Sequence, residues 1–596
     1  LTMIGPFRKT RRPKPPEFAP PRHRPHSDRR PALPCAPIRS DGSFRRAIEM
    51  GRARLLITGA VMAFAFTAVG ARLVDLGAFA NQNVASVQTH AIINPDLRTE
   101  KATITDRNGV IVATSLTTTA LAARPDRLLD PVDAARRLAQ LFPELDESDL
   151  RAKLTSDSPF VYVNRKLTPK MEQAVMQLGI PGLEFERAET RVYPHGRLLS
   201  HILGYTDVDG KGLSGIERGL EDRLRASKEP LRLSIDLRFQ HVVHEELSKA
   251  VEEYSAEGGA GIVMDVNTGE VMAMVSLPDF DPNRPANTPE INRFNRATFG
   301  TYELGSTFKI FNTAMSLDSG AATLNDGYDA TNPIKISRFT ISDYHAKSRF
   351  LTLPEIFVYS SNIGSAKMAL DVGPPAQKAF MDKLGLLEPI ALEIPETGRP
   401  MFPNPWNPIN TMTIAFGHGL SVTPLHLANG VSAMLNGGEL LPPTLLARDH
   451  APKGRRVISE RVSFDMRRLM RLNATEGSGK AALVPGYMVG GKTGTAEKPS
   501  SGGYKKRALI SSFVAAFPMN SPRYVVYVVL DEPHGTKKTF GFATGGWVAA
   551  PAAGAIIERV GAIAGIKPIQ ENAPEIQHVF AIELPEETKK LASLQQ

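Results

Sequence analysis

Apolar and polar positions alternate first around a short polar break. Thr103-Ile104-Thr105 and Val110-Ile111-Val112-Ala113 flank Asp106-Arg107-Asn108-Gly109, and an Asn-Gly pair between two such runs predicts two strands joined by a tight turn. The spacing then becomes helical over 131–142 and 168–179. Residues 231–236 alternate again and predict a strand, with a helix through 237–253. Residues 260–265 and 270–275 flank Val266-Asn267-Thr268-Gly269, which predicts a hairpin. The Pro- and Asn-rich stretch 279–290 reads as loop. Near the far end, 511–517 and 524–530 are β-rich runs separated by Asn520-Ser521-Pro522, and 549–563 predicts a closing helix. The last thirty residues are polar and Pro-containing and read as a tail. There are no internal repeats.

One stretch differs in kind. Leu55 to Ala71 carries no charge, and Leu73 to Leu76 can extend it with Arg72 and Asp75 at an interface. This is near the lower limit for a membrane-spanning helix. A cleaved signal peptide is the competing reading, because Ala78-Phe79-Ala80 resembles a cleavage site. The charged leader is too long for that, and the cleavage-like site lies beyond Arg72 and Asp75. A buried core helix is the third option. We expect a transmembrane helix over 55–76.

The charge supports that placement. Residues 1–54 hold fourteen Lys and Arg against four Asp and Glu, so of the formal +9 this stretch carries +10 and the remainder −1. Rich in Pro and Arg, as in Arg11-Arg12-Pro13-Lys14-Pro15-Pro16, it cannot bury enough apolar surface to fold alone. Positive charge before the helix places the N-terminus in the cytoplasm and the rest of the chain, beyond the helix, across the membrane. The basic pI belongs to this tail, which leaves nucleic-acid binding little else to rest on. The single cysteine, Cys35, cannot form an intrachain disulfide. At 596 residues about two to four domains are expected. We read 1–54 as a basic tail, 55–76 as the anchor, 81–230 as an extended packing region, 231–567 as the domain bearing the chemistry and 568–596 as a C-terminal tail.

That chemistry centres on Tyr302-Glu303-Leu304-Gly305-Ser306-Thr307-Phe308-Lys309. If Ser306 opens a helix, Lys309 sits one turn above it. An amine there can take the hydroxyl proton, without which serine is a weak nucleophile. Ser-x-x-Lys alone is common on ordinary helix surfaces. Two later stretches change its weight: Ser360-Ser361-Asn362, and Lys492-Thr493-Gly494-Thr495 after Gly490-Gly491. Ser-x-x-Lys, Ser-x-Asn and Lys-Thr-Gly in this order are the motif set of serine penicillin-recognising enzymes.

From about residue 90 to 565 the chain resembles class B penicillin-binding proteins, which are membrane-anchored peptidoglycan D,D-transpeptidases. The resemblance extends to Asp106-Arg107-Asn108-Gly109, Arg191-x-Tyr193-Pro194-x-Gly196, Gly215-Ile216-Glu217 and Gly417-His418-Gly419-Leu420-Ser421-Val422-Thr423-Pro424-Leu425. Leu304 stands where proline is common and His426 where glutamine is usual. Asn362 and the basic tail fit the division-specific subgroup better than the elongation one. The resemblance implies a mixed α/β (α+β) fold: a penicillin-binding, β-lactamase-like transpeptidase domain with an antiparallel sheet flanked by helices, preceded by an elongated α+β pedestal and one transmembrane helix. It implies a single-pass inner-membrane protein with a periplasmic catalytic domain.

The resemblance also implies roles. Ser306 attacks the D-alanyl-D-alanine carbonyl of a peptidoglycan stem peptide, and Lys309, kept neutral by burial and nearby cations, takes its proton. Ser360 relays a proton to the leaving amine, and Asn362 orients Lys309 and substrate. Lys492 supplies positive potential. Thr493 and Thr495 hold the substrate carboxylate, with the Ser306 and Thr495 N–H groups as oxyanion hole. Gly490, Gly491 and Gly494 leave the strand edge open to substrate. No metal or cofactor is required, and β-lactams acylate Ser306. A polytopic, FtsW-type glycan polymerase and other division proteins are the implied partners. Three alternatives use the same motifs: a carboxypeptidase or penicillin hydrolase, a penicillin sensor, and a structural division component.

Overall fold

The computed structural model describes residues 59–70, 101–336, 339–500, 503–582 and 584. Contacts divide the chain into two units, 1–97 and 98–596. In the first, 59–70 form a helix within the uncharged run. Among the described residues no helix is long and apolar enough to cross a membrane, and the rest of 55–76 lies outside them, as do residues 1–54 and 81–100.

The second unit begins with the expected turn. Ile104–Thr105 pairs antiparallel with the long strand Ile111–Ala123, and Gly109 closes the reversal at a φ of 87°. The long strand also pairs with Leu183–Val192 and Val161–Leu167. Helices Pro131–Leu141, Glu147–Leu154 and Pro169–Leu178 cover this sheet through Leu138, Phe142, Leu150, Leu154 and Val175. Their starts are set locally, since Asp130, Asp146 and Thr168 cap the first free N–H groups. The predicted 231–236 strand is short: Leu231–Arg232 pairs parallel to Ile104–Thr105, Leu233 adds a single bridge to Leu446, and Asp236 then caps helix Leu237–Glu253.

The pedestal motifs have structural work. Arg191 Nε donates to Glu217 Oε1 at 2.7 Å, and Lys101 Nζ to its other oxygen at 3.1 Å, all three residues being buried. Removing one partner would strand a buried charge. Asn283 clamps Tyr193 at both backbone groups, N–H and C=O each 3.0 Å away. Glu396 Oε2 accepts from the Gly215 N–H at 3.1 Å. The Asn283 and Glu396 bonds tie the pedestal to segments before and after Ser306 in the chain.

The catalytic sheet has five antiparallel strands in the order Gly490–Ser500, Gly503–Phe517, Tyr524–Asp531, Gly258–Asp265, Val271–Leu277. The early hairpin and the late strands thus share one sheet. Nearly continuous apolar runs such as Tyr524–Asp531 are buried on both faces. Helices Leu237–Glu253 and Gly545–Ile563 pack on one face, and Lys309–Ser319, Pro424–Leu435 and Glu460–Glu476 on the other. The Lys-Thr-Gly strand lies at the sheet's edge. The stretch read as a C-terminal tail is not free throughout: Ile569, Ile576, Phe580 and Ile582 pack on the core, Pro574–Phe580 is helical, and Glu571 pairs with Arg471 at 2.6 Å. Its few apolar residues outweigh its polar composition.

Candidate active site

Ser306 does not open an α-helix. It lies in a 3-10 turn, Gly305–Phe308, and Lys309 begins the α-helix Lys309–Ser319. The lysine nevertheless reaches the hydroxyl: its Nζ is 2.9 Å from Ser306 Oγ. Gly305 makes the turn possible. It has a φ of 57°, and a Cβ there would stand 2.4 Å from the Thr495 carbonyl oxygen and 3.2 Å from its nitrogen. The Ser306 turn therefore lies directly against the backbone of the Lys-Thr-Gly strand.

The three motifs meet at one amine. Besides Ser306, Lys309 Nζ contacts Ser360 O at 2.8 Å, Ser360 Oγ at 3.0 Å and Asn362 Oδ1 at 2.7 Å. Lys492 Nζ approaches Ser360 Oγ from the other side, also at 3.0 Å. Both lysines are fully buried. Burial, and then the neighbouring Lys492 charge, push the Lys309 amine well below its ordinary range, with Asp343 opposing. Burial lowers Lys492 to about 7, so at neutral pH it carries a partial charge that an anionic substrate would increase.

Asp343 bears on the site although no motif contains it. Its Oδ1 accepts from the Asn362 and Ile363 N–H groups at 2.6 and 3.0 Å, and its Oδ2 from Ser361 Oγ at 2.7 Å. Ser361 itself caps helix Asn362–Val372. A carboxylate at this helix start satisfies free N–H groups and the positive end of the dipole. Asn362 Nδ2 donates to Ser342 O at 3.0 Å, which turns Oδ1 toward Lys309. Asp343→Ala is expected to cost about 1–2 kcal/mol, as lost caps do, and to slow penicillin acylation roughly tenfold, the effect of about 1.4 kcal/mol on a barrier. Stopped-flow acylation with thermal melts checks both, and an unchanged acylation rate would remove Asp343 from the site's support.

The Lys-Thr-Gly strand makes two sets of contacts that its sequence does not show. Its glycines make room for the protein's own atoms. A Cβ on Gly491 would meet the Phe513 ring at 2.6 Å, one on Gly490 the Met519 side chain at 2.3 Å, and one on Gly494 Ser512 Oγ at 2.5 Å and Leu304 O at 2.6 Å. The threonine hydroxyls also have partners. Thr493 Oγ1 lies 2.7 Å from Ser478 Oγ, and Thr495 Oγ1 accepts from the Gly545 N–H at 3.1 Å. Ser478, without a motif of its own, joins the site through this contact. His426 is structural: its Nδ1 lies 2.7 Å from Thr423 Oγ1 and its Nε2 2.9 Å from Glu388 O, and burial lowers it to about 4.

Glu257, Asp531 and Glu532 are spaced as metal ligands could be, but Lys498 Nζ stands among them at 3.5, 2.8 and 2.7 Å. A cavity of about 320 Å³ between pedestal and catalytic segments, at His201, Tyr205, Phe280, Arg293 and Glu396, shares no residue with the Ser306 site.

A buried amine bonded to two serine hydroxyls, beside a second buried lysine on a sheet edge, defines a serine–lysine acyl-transfer centre. Residues 259–558 match the penicillin binding protein transpeptidase domain, and residues 98–249 the penicillin-binding protein dimerisation domain. The chain belongs to the penicillin-binding protein transpeptidase family. It is 42% identical over 479 residues to the probable peptidoglycan D,D-transpeptidase FtsI of Caulobacter vibrioides (strain NA1000 / CB15N), spanning 78% of this chain and 81% of that protein. It is 30% identical over 504 residues to the peptidoglycan D,D-transpeptidase FtsI of Escherichia coli (strain K12), spanning 79% and 84%. The crystal structure of a peptidoglycan synthetase from Bifidobacterium adolescentis shares the fold with a TM-score of 0.64 at 23% identity, over 80% of this chain and 98% of that one.

Proposed function

We propose that this peptidoglycan D,D-transpeptidase crosslinks stem peptides of the septal cell wall through an acyl-enzyme on Ser306. The observation that carries this reading is the set of four contacts at Lys309 Nζ. Two of the contacts, Ser360 O and Asn362 Oδ1, can only accept. A neutral amine has two N–H groups for them, and its lone pair is left to face a hydroxyl. Burial beside Lys492 favours that neutral form. Lys309 thus takes the Ser306 proton as the oxygen attacks the carbonyl between two D-alanines. Ser360, between the two lysines, passes a proton to the leaving D-alanine amine. The Ser306 and Thr495 N–H groups face the developing oxyanion, since their backbones adjoin at Gly305. Lys492, with the Thr493 and Thr495 hydroxyls, receives the terminal carboxylate, for which Thr493 and Ser478 would rearrange their mutual bond. A second stem peptide's amine then takes the acyl group.

β-Lactams acylate the same serine. The membrane anchor over 55–76, a periplasmic catalytic domain and association with an FtsW-type polymerase belong to this proposal, supported by the uncharged run and the charge before it. A pedestal and anchor suit work at the wall more than free penicillin hydrolysis. Purified protein should form a slowly decaying penicilloyl adduct and crosslink only when an amine acceptor is supplied, and depleted cells should fail to close septa. Rapid penicillin turnover together with normal division would replace this reading with the hydrolase one.

A further inference from the structure

The acyl-transfer residues account for one side of the Ser306 turn. The other side holds a group of side chains that the proposed steps do not use. Gly417 adjoins the turn, its carbonyl accepting from the Gly305 N–H at 3.2 Å. The next residue, His418, is therefore held beside Ser306. Glu303, buried three residues before the serine, accepts from the Gly419 N–H at 2.8 Å and from the Tyr504 hydroxyl at 3.0 Å. The Tyr504 ring meets the His418 ring edge-on at 5.6 Å. Glu497 lies two residues beyond Thr495 on the same strand, and its charge reaches both His418 and Tyr504.

His418 is the unusual member. Its Nδ1 is buried without a hydrogen-bond partner, and among the described residues no side chain engages its ring through a hydrogen bond. Buried polar atoms are paired in most folds, and an exception calls for a reason. Burial lowers the ring's proton affinity, and Lys309 acts in the same direction against Glu303, Glu497 and the Phe416 carbonyl. The ring is thus neutral near pH 7 and keeps one nitrogen that can accept a hydrogen bond.

We infer that Glu303, His418, Glu497 and Tyr504 form the site for the second substrate, the primary amine that takes the acyl group from Ser306. This rests on the transpeptidase reading. Two carboxylates favour an incoming ammonium over an anion. Once the ammonium has lost one proton to solvent, an N–H of the amine donates to His418 Nε2, since burial closes Nδ1, and its lone pair faces the ester. The new C–N bond forms as the bond between the carbonyl carbon and Ser306 Oγ breaks. The proton released from nitrogen passes through the Lys309 amine to Ser306 Oγ and restores the starting state. Water can enter the same place, but it lacks the ammonium's attraction to the carboxylates.

The test tracks the fate of the acyl-enzyme. The full chain is given an N-acyl-D-alanyl thioester as donor and D-alaninamide as acceptor, and the ratio of amide product to hydrolysed acid is measured. In His418→Phe this ratio should fall roughly tenfold, the value of one hydrogen bond in a barrier. His418→Asn, whose amide oxygen can accept, should recover part of the loss. Glu303→Gln should raise the acceptor concentration needed for half-maximal amide formation. An unchanged ratio in His418→Phe, or equal slowing of transfer to amine and to water, would overturn the assignment. Failure of the transpeptidase reading would look different, because the unaltered protein would then give no amide at any acceptor concentration, only hydrolysed acid or no acyl-enzyme.

Discussion

Ser306→Ala protein will carry no penicilloyl adduct, and mass spectrometry of the unaltered chain will place the adduct on the peptide containing Gly305-Ser306-Thr307. The rival nucleophile is Ser360, since Lys309 Nζ lies within hydrogen-bond distance of both hydroxyls, 2.9 and 3.0 Å away. Ser360 Oγ is also bonded to Lys492 at 3.0 Å, so it is placed to carry protons between two amines. Ser306 adjoins the Thr495 backbone through the glycine that precedes it, as the proposed oxyanion hole requires. Loss of the nucleophile in a serine enzyme costs on the order of a millionfold, below detection in a gel assay. An adduct on Ser360, or labelling that survives Ser306→Ala, would overturn the mechanism.

The residues legible in the sequence were those whose chemistry fixes their spacing or order. Ser306 and Lys309 are one turn apart whether that turn is 3-10 or α, so the pairing does not depend on which kind of helix holds Ser306. Ser360, Asn362 and Lys492 were found through motif order and are brought together by tertiary folding. Asp343 and Ser478 gave no such signal. Each is a lone polar residue in a segment without periodicity, and it acquires a role only when folding sets it against Asn362 or Thr493. A sequence does not show that Phe513, Met519 and Ser512 occupy the space beside the Lys-Thr-Gly glycines. His426 could not be interpreted from sequence for the same reason, as its partners Thr423 and Glu388 are a cap and a distant carbonyl. Of the fold, both hairpins and the closing helix were readable from periodicity. The brevity of Leu231–Arg232 was not, because alternation continues to Asp236 while pairing is decided by the neighbouring strand.

Lys309 provides the second large effect and separates a base from a mere positive charge. Lys309→Met should slow acylation by about a hundredfold or more, the usual cost of losing a general base. Lys309→Arg should be as inactive, because a guanidinium stays protonated at any working pH. In the unaltered protein the folded Lys309 amine loses its proton well below the ordinary 10.5. Acylation therefore falls as pH drops through that depressed value, because the base becomes protonated. Stability has the matching sign. Between the folded value and 10.5 the unfolded chain binds more protons than the folded one, so this group makes the fold more stable as pH rises through that window. Lys309→Met removes that contribution. It also leaves Ser360 O and Asn362 Oδ1 without their donor, at about 1–3 kcal/mol for each buried unsatisfied group, offset by no longer burying an amine. Melting curves at several pH values, taken beside the acylation rates, thus distinguish a folded, inactive variant from an unfolded one. A Lys309→Arg protein acylated at the normal rate would show that the site needs a cation there and that another group takes the Ser306 proton.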